Sequence, residues 1–284
     1  MRIRASVAAV TGALALSALA VPAAQADDSN TVSSFTKNAV AEASAESSVD
    51  VAADDVSGDT TISNVVVNGG KSVVMGATTK KTFTVSFTAT DDSGIEWATA
   101  VLWHGSTFDN LDGGGVPNEA EAVCTQVDDT TSTCKHTYTV DANYDLLNKL
   151  AGGWKVWAIA QGTDADYVQK DNAKGFNLQR MSKLTVNASP EPVVKGKTVT
   201  VTGALTRADW ESNKYVGLSG QSVVLQFRKA GTTNYTNVKG IKSTTGGALK
   251  TTVTASADGY YRFTYAGIAS TATVSAAGDY VDVK

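Results

Sequence analysis

Oxygen-bearing side chains are concentrated in two turn-like stretches of this sequence. The residues of both stretches are Asp91, Asp92, Glu96, Asp164, Asp166, Asp171 and Asn172. Calcium binds several oxygen ligands, which proteins often supply as carboxylates clustered on turns. If both turns lie at the same end of one domain, the sequence predicts a shared calcium site. The alternative is that Asp and Asn occupy these turns for backbone reasons alone, and the spacing of an EF-hand loop is absent.

The only two cysteines, Cys124 and Cys134, are placed symmetrically about Asp129. The residues around them predict a β-hairpin, in which directly opposed side chains are neighbours. In an exported chain this arrangement predicts a disulfide, which would stabilise the fold by about 2–3 kcal/mol. Two free thiols or a pair of metal ligands are the alternatives, although two cysteines alone do not complete a zinc site.

Histidine, the commonest acid–base catalyst, occurs only at His104 and His136. Neither belongs to a hydrolase or zinc-protease motif, because the sequence has no Gly-x-Ser-x-Gly and no His-Glu-x-x-His. His136 lies within a predicted strand, where a structural role is favoured. We therefore predict no catalytic residues and no enzyme. A pair of distant carboxylates, as used in glycoside hydrolysis, keeps a carbohydrate-active enzyme as a further interpretation.

Four aromatic side chains flank or occupy long predicted loops and are candidates for contacting a ligand. They are Trp103, Phe108, Trp210 and Tyr215. Loops at the ends of a rigid sandwich commonly carry binding residues, and tryptophan rings can stack on sugars. The alternative is that these rings pack in a core or between domains, and it is favoured because aromatic side chains usually bury much of their area.

Alternating apolar and polar residues predict β-strands along most of the chain after residue 60. A strand–turn–strand opening occurs twice, first over residues 62–88 and again over 181–205, which indicates two similar domains. Residues 96–103 and 154–161 are largely apolar on both faces and predict two central strands. Because no stretch has a long helical period, the predicted fold class is all-β, with two tandem immunoglobulin-like β-sandwiches.

The first 26 residues have the features of a signal peptide. Arg2 and Arg4 precede an apolar stretch over residues 5–20, and an Ala-x-Ala pattern ends at Ala26. The apolar run is shorter than the roughly 20 residues that a membrane span needs. We therefore expect a secreted, extracellular protein without a membrane span.

The remaining sequence divides into three predicted parts. Residues 27–59 are acidic and rich in Ala and Ser, and such a composition predicts a disordered leader. Residues 60–180 form the first predicted sandwich, which contains the hairpin disulfide. Residues 181–284 form the second, basic sandwich.

Charge is distributed unevenly between these parts. Residues 27–180 carry 22 acidic and 10 basic side chains, whereas residues 181–284 carry 6 acidic and 12 basic ones. The basic domain favours contact with an anionic cell-wall polymer or glycan, and the acidic one attracts cations. Ordinary solvated surface is the simpler alternative, and attraction between the two domains is a third. No nucleic-acid partner is expected.

Four stretches in the second half share a recognisable pattern, namely residues 194–203, 220–228, 258–263 and 277–284. Together they resemble exported actinomycete proteins with bacterial immunoglobulin-like domains. The stretch Trp154-Lys-Val-Trp157, with residues 171–173, is similar to the first domain of those proteins. The resemblance implies export and the tandem architecture, and some of these relatives carry the label calcium-binding protein.

The function predicted from the sequence is that of a secreted, non-catalytic binding or structural protein of the cell envelope or extracellular space. The main alternative is an extracellular calcium-binding protein with its carboxylate site in the first domain. In that alternative calcium is the cofactor, and it stiffens the first domain.

Overall fold

The computed structural model describes residues 54–284. The expected signal peptide, residues 1–26, and the expected leader up to residue 53 lie outside the described residues. The end of the expected leader belongs to a sheet instead, because Asp55–Ser57 form a strand that pairs antiparallel with residues 167–169. Thr60, which follows this strand, is buried.

The described residues form twenty β-strands and three short 3₁₀ turns, with no α-helix among them. The strands up to residue 180 are β1 (Asp55–Ser57), β2 (Thr61–Val67), β3 (Val73–Met75), β4 (Lys80–Thr90), β5 (Ile95–Gly105), β6 (Leu111–Gly115), β7 (Val123–Gln126), β8 (Thr131–Asp141), β9 (Gly152–Gly162) and β10 (Tyr167–Arg180). The later strands are β11 (Ser182–Leu184), β12 (Asn187–Ser189), β13 (Thr198–Asp209), β14 (Lys214–Gly217), β15 (Ser222–Lys229), β16 (Thr236–Lys242), β17 (Ala248–Thr254), β18 (Gly259–Tyr265), β19 (Val274–Ser275) and β20 (Asp279–Val281). The 3₁₀ turns are Asn68–Gly70, Asn148–Leu150 and Thr245–Gly247. Over residues 54–284, no helix is long and apolar enough to cross a membrane.

The chain divides into two compact units. The first comprises the described residues 54–71 together with Thr82–Val140 and Trp154–Phe176. The second comprises Ser72–Lys81, Asp141–Gly153 and Asn177–Lys284. This division is more interleaved than a single boundary between residues 180 and 181, and that boundary stays a prediction.

The first unit is a sandwich of two sheets. One sheet has the strand order β1–β10–β9–β5–β6, and the other has the order β2–β4–β8–β7. The sheets meet face to face, because the hydroxyl of Tyr138 on β8 donates to the carbonyl of Ala100 on β5 at 2.7 Å. Nε2 of His136 on β8 also lies 3.0 Å from Oγ1 of Thr99 on β5.

The two strands predicted to be central, β5 and β9, do lie inside the first sheet. They pair with each other, with Val101 opposite Trp157, and each has a further strand on its other side. Residues 156–162 of β9 are all buried. A strand covered on both faces needs apolar or small residues at successive positions rather than at alternate ones, which is the pattern that the sequence has here.

The predicted disulfide is also present. Cys124 on β7 and Cys134 on β8 are opposite each other in the strand register and are bonded. β7 is the edge strand of its sheet, and Val123 beside the disulfide is 62% exposed. The covalent bond therefore holds an edge strand that buries little apolar surface.

The second unit also has two sheets. In one, β13 pairs with β11, β12, β14 and β17, and in the other, β15 and β18 pair with each other and with β16, β19 and β20. Side chains from both sheets meet in one core, in which Val201 of β13, Leu225 of β15 and Phe263 of β18 are fully buried. The predicted all-β class is confirmed for the described residues, and each unit is built from two facing sheets.

Candidate metal centre

The first acidic turn joins β4 to β5 and is folded around the side chain of Asp91, which is 1% exposed. One carboxylate oxygen of Asp91 accepts hydrogen bonds from the amide of Ser93, at 2.9 Å, and from the Ser93 hydroxyl. The other oxygen accepts a hydrogen bond from the hydroxyl of Thr60. These bonds fix a buried carboxylate at the end of the sandwich.

The second acidic turn, which joins β9 to β10, is bonded directly to the first. Thr163 donates its amide to the carbonyl of Gly94 at 3.0 Å and its hydroxyl to the carbonyl of Ser93 at 2.7 Å. The amide of Asp164 donates to the Ser93 hydroxyl at 3.2 Å. The two turns therefore lie side by side, which is the arrangement that a shared metal site requires.

A third segment, at the end of the expected leader, adds a carboxylate. The amide of Asp59 donates to Oδ2 of Asp166 at 3.3 Å. A Cβ atom at Gly58, where φ is 79°, would lie 1.5 Å from the same oxygen, and a Cβ at Gly162 would lie 2.3 Å from Cγ of Asp91. Glycine at these two positions therefore leaves the space that the carboxylates occupy. The Gly58-Asp59 pair shortly before β2 indicates a turn, and this is the signal that the sequence offers for Asp59.

Five aspartates form two overlapping groups that we call the carboxylate cluster: Asp59, Asp91, Asp92, Asp164 and Asp166. Asp59, Asp91 and Asp166 make one group, and Asp91, Asp92 and Asp164 make the other. Within each group the nearest carboxylate oxygens lie within 4.8 Å of one another. Two oxygens bound to one calcium ion are at most about 5 Å apart, since each bond is about 2.3–2.6 Å. Each group could therefore hold a cation between three carboxylates.

The aspartates of the cluster affect one another electrostatically. Repulsion raises the pKa of Asp92, with Asp59 as the largest cause and Asp164, Asp91 and Asp166 as smaller ones. Burial raises the pKa of Asp91, but the hydrogen bonds from Ser93 and Thr60 outweigh it and hold this pKa below its ordinary value. The central carboxylate therefore stays ionised, while its neighbours repel one another. A bound cation would remove that repulsion.

Four of the seven predicted metal ligands lie in the carboxylate cluster, namely Asp91, Asp92, Asp164 and Asp166. Glu96, Asp171 and Asn172 lie outside both groups. The carbonyl of Asp171 accepts a hydrogen bond from Nε1 of Trp103 at 2.8 Å, and its amide donates to Oδ1 of Asp54. Glu96 and Asn172 are exposed positions on β5 and β10. Glu96 lies on β5, and Asp171 and Asn172 lie on β10, so all three belong to the strands that follow the turns. The sequence does not show where each turn ends and its strand begins.

The aromatic candidates are largely packed inside the protein. Trp103 and Phe108 are 3% and 7% exposed, and their ring centres lie 5.7 Å apart. Trp210 is 2% exposed and donates its Nε1 hydrogen to the carbonyl of Gly76. These three rings are therefore not exposed to a ligand, as the packing alternative predicted. Tyr215 is half-buried, with Nζ of Lys183 lying 3.6 Å from its ring centre.

Both histidines form hydrogen bonds with carboxylates outside the cluster. Nδ1 of His104 forms a hydrogen bond with Oδ1 of Asp112. His136 is fully buried between Thr99 and Glu119, with Nδ1 lying 3.4 Å from Oε2 of Glu119. Burial lowers the pKa of His136, so a neutral imidazole held inside the sandwich accounts for this residue.

Comparison with known sequences gives one partial match. A model described as a family of unknown function (DUF5707) matches residues 71–160. The matched segment contains Asp91 and Asp92 but ends before Asp164 and Asp166. No curated protein matches the chain.

Several solved structures are similar over most of the chain. Domains A168–A170 of titin share 11% identity, cover 81% of this chain and 68% of their own, and give a TM-score of 0.26. The Escherichia coli adhesin FdeC shares 16% identity, covers 81% of this chain and 66% of its own, and gives a TM-score of 0.33. The D00–D0 domain of intimin shares 11% identity, and the match covers 78% of this chain and 98% of the intimin chain, with a TM-score of 0.28. With such scores, these similarities carry no inference about function.

Proposed function

We propose that this chain is an extracellular, non-catalytic binding or structural protein and that its first unit binds calcium at the carboxylate cluster. The observation that carries the calcium site is the convergence of five aspartates from three separate segments, with the oxygens of each group within 4.8 Å of one another. Aspartates that served only to form their own turns would not need to meet across segments. A cation bound between them would join the segment before β2 to both acidic turns.

Calcium fits the donor set better than zinc or magnesium. Zinc prefers histidine nitrogen and cysteine sulfur, and both groups consist of aspartates alone. Magnesium requires nearly octahedral geometry with bonds of about 2.0–2.1 Å, whereas calcium accepts about six to eight oxygens in variable arrangements. Because Asp59, Asp92 and Asp164 are exposed, water can complete the coordination of a calcium ion.

Three features support the extracellular setting. The expected signal peptide directs export, and the Cys124–Cys134 disulfide suits an oxidising compartment. The resemblance to exported tandem immunoglobulin-like proteins, some labelled calcium-binding, agrees with both. A role at the cell envelope is further supported by the 12 basic and 6 acidic residues over 181–284, which would attract an anionic polymer.

Calorimetric titration of the chelator-treated full chain with calcium tests the proposal. We expect a Kd of about 10⁻⁴–10⁻³ M, as in other extracellular calcium modules, and a higher melting temperature in calcium. Asp92→Asn should weaken binding by about tenfold or more, because one ligand is lost. The same variant should be at least as stable as the wild type without metal, because the repulsion on Asp92 is relieved.

Glu96→Gln is the matched control, because it removes one negative charge near the same turn but outside both groups. It should bind calcium like the wild type. Absence of any heat or melting shift at millimolar calcium would refute the site. An equal loss of binding in both variants would show that general negative charge, rather than the cluster, attracts the ion.

A further inference from the structure

The outer face of one sheet in the second unit carries an array of arginine and tyrosine side chains. On β15 and β18, Leu225 and Phe263 are buried in the core, whereas the alternate residues lie on the opposite face. There Arg228 is opposite Tyr260, and Gln226 is opposite Arg262. We call this surface the Arg–Tyr face and define it by Gln226, Arg228, Tyr235, Tyr260, Arg262 and Tyr280.

The two guanidinium groups are held against aromatic rings. Cζ of Arg228 lies 4.0 Å from the ring centre of Tyr260, and Cζ of Arg262 lies 3.7 Å from that of Tyr235. Tyr280, which is 38% exposed, lies next to Tyr260, with ring centres 5.1 Å apart. Cation–π contacts limit the freedom of long arginine side chains, so less entropy is lost when a ligand binds them.

The two arginines carry the positive charge of this face, while burial and then the nearby carboxylates of Asp258 and Asp282 raise the pKa of Tyr280 at its side. Neither arginine forms an ion pair with a carboxylate in the part of the chain that the structure describes. Arg228 donates to the carbonyl of Thr232 at 2.6 Å, and Arg262 donates to Oε1 of Gln226 at 2.9 Å. A guanidinium has five N–H donors, so most donors of both groups have no partner among the described residues. Arg180 differs, because it is buried and lies 3.3 Å from Asp209.

We propose that the Arg–Tyr face binds a polysaccharide that carries carboxylate groups, of the uronic acid class. The planar guanidinium fork matches a carboxylate with two parallel hydrogen bonds. The exposed ring of Tyr280 offers an apolar surface to a sugar ring. The side-chain Nε2 of Gln226 donates to Oδ1 of Asn237 at 2.8 Å. The side-chain NH₂ group of Asn237 can therefore donate hydrogen bonds to sugar hydroxyls.

An acidic glycan suits this face better than a nucleic acid or polyphosphate. Those polymers carry closely spaced phosphates that are bound by neutralising many charges, and this face offers two arginines. A short acidic oligosaccharide carries only a few carboxylates, and each planar guanidinium can pair with one of them. The inference rests on the extracellular location proposed above and not on calcium binding.

Titration of the full chain with short oligogalacturonate, in the presence of EDTA, tests this inference. The chelator prevents calcium from bridging the glycan and the protein, so the result is independent of the carboxylate cluster. We expect the acidic oligomer to bind and its methyl ester to bind at least about tenfold more weakly, because the ester has no negative charge to pair with arginine. Short single-stranded DNA and inorganic polyphosphate are the competing probes.

The double variant Arg228→Gln/Arg262→Gln should lose about tenfold in affinity for each arginine removed. The double variant Arg228→Lys/Arg262→Lys should also bind weakly, because it keeps the charge but lacks the planar fork. Lys195→Gln/Lys197→Gln is the matched control, since it removes two exposed charges of the same unit outside the face. It should change the affinity less than about twofold.

Several outcomes would overturn the inference: no binding, equal binding of the methyl ester, tighter binding of DNA or polyphosphate, full affinity in the lysine variant, or an equal loss in the control. If the glutamine variant does not fold, hydrogen exchange of the wild-type chain decides instead. Oligogalacturonate should then slow exchange in β15 and β18, and unchanged exchange there would also overturn the inference.

Discussion

The pair formed by the buried His136 and the half-buried Glu119 links protonation of single residues to stability. Burial lowers the pKa of His136 below its ordinary 6.5. Hydrogen bonds from the hydroxyl and the amide of Thr137 lower the pKa of Glu119 to about 2. Both shifts make the folded protein less stable as the pH falls, because the unfolded chain takes up protons at a higher pH than the folded chain does.

We predict that the free energy of unfolding falls in two stages as the pH is lowered. The His136 contribution is present above pH 6.5 and declines as the pH falls below that value, because the unfolded histidine is protonated first. The Glu119 contribution is present above pH 4.5 and is lost between pH 4.5 and about 2. Urea unfolding followed by circular dichroism at several pH values measures both stages.

His136→Gln should flatten the first stage, because glutamine keeps a donor and an acceptor but does not titrate. His104→Gln serves as the control, since it removes the other histidine and leaves His136 in place. A wild-type protein that becomes more stable between pH 7.5 and 5.5 would contradict the assignment.

Single residues also show how far the sequence specifies the candidate site. Asp91, Asp92, Asp164 and Asp166 were predictable, because clusters of aspartate in turns are visible without a structure. Asp59 was missed, since the Ala- and Ser-rich composition before it resembles a disordered segment. Its contribution depends on the Gly58 backbone and on contact with Asp166, which is 107 residues away. Composition contains no information about such a long-range contact.

At the level of elements, β5 and β9 each contribute one tryptophan to the same buried cluster, and the polar surroundings of these two tryptophans differ. Trp103 and Trp157 are both buried in a cluster with Phe108. Nε1 of Trp103 donates to the carbonyl of Asp171 at 2.8 Å, and Nζ of Lys155 lies 4.0 Å from its ring centre. Nε1 of Trp157 is buried without a hydrogen-bond partner in the described structure. The unpaired donor has lost its hydration without compensation.

We predict that Trp103→Phe destabilises the protein more than Trp157→Phe does, by about 1–3 kcal/mol. Both changes remove the same atoms from the same cluster, so the loss of packing is similar. Only the first change also removes a hydrogen bond and leaves the Asp171 carbonyl unpaired. Chemical denaturation of the two variants measures the difference, and equal losses would contradict the role given to the Trp103 hydrogen bond.

The strands were largely predictable from the sequence, whereas the loops that pack over them were not. Apolar residues on both faces identified β5 and β9 as central, and the symmetric cysteines identified the β7–β8 hairpin. The pattern could not show that Phe108, from the loop after β5, packs on Trp157 with ring centres 5.9 Å apart. The burial of Trp103 and Phe108 depends on how that loop folds back, and strand periodicity does not describe loops.

At the scale of the whole molecule, the two proposed ligands belong to different units. The carboxylate cluster is built from residues 58–60, 91–94 and 162–166 of the first unit, and the Arg–Tyr face from β15, β18 and their neighbours in the second. The charge differs between the units in the same sense, since the described residues of the first unit carry 15 acidic and 5 basic side chains and those of the second carry 8 acidic and 16 basic ones. Each unit therefore attracts a ligand of the opposite sign through its own residues.

We predict that the two ligands slow amide hydrogen exchange in separate parts of the chain. Calcium should protect the amides of Asp59, Ser93 and Asp166, because each donates to an aspartate side chain of the cluster that the ion would immobilise. It should leave residues 177–284 unchanged.

Oligogalacturonate with EDTA should protect β15 and β18 and leave the cluster unchanged. Asp92→Asn should weaken only the first pattern, and Arg228→Gln/Arg262→Gln only the second. If calcium protected the Arg–Tyr face, or if either variant abolished both patterns, the two sites could not be independent, because a ligand shifts only those equilibria for which it has differential affinity.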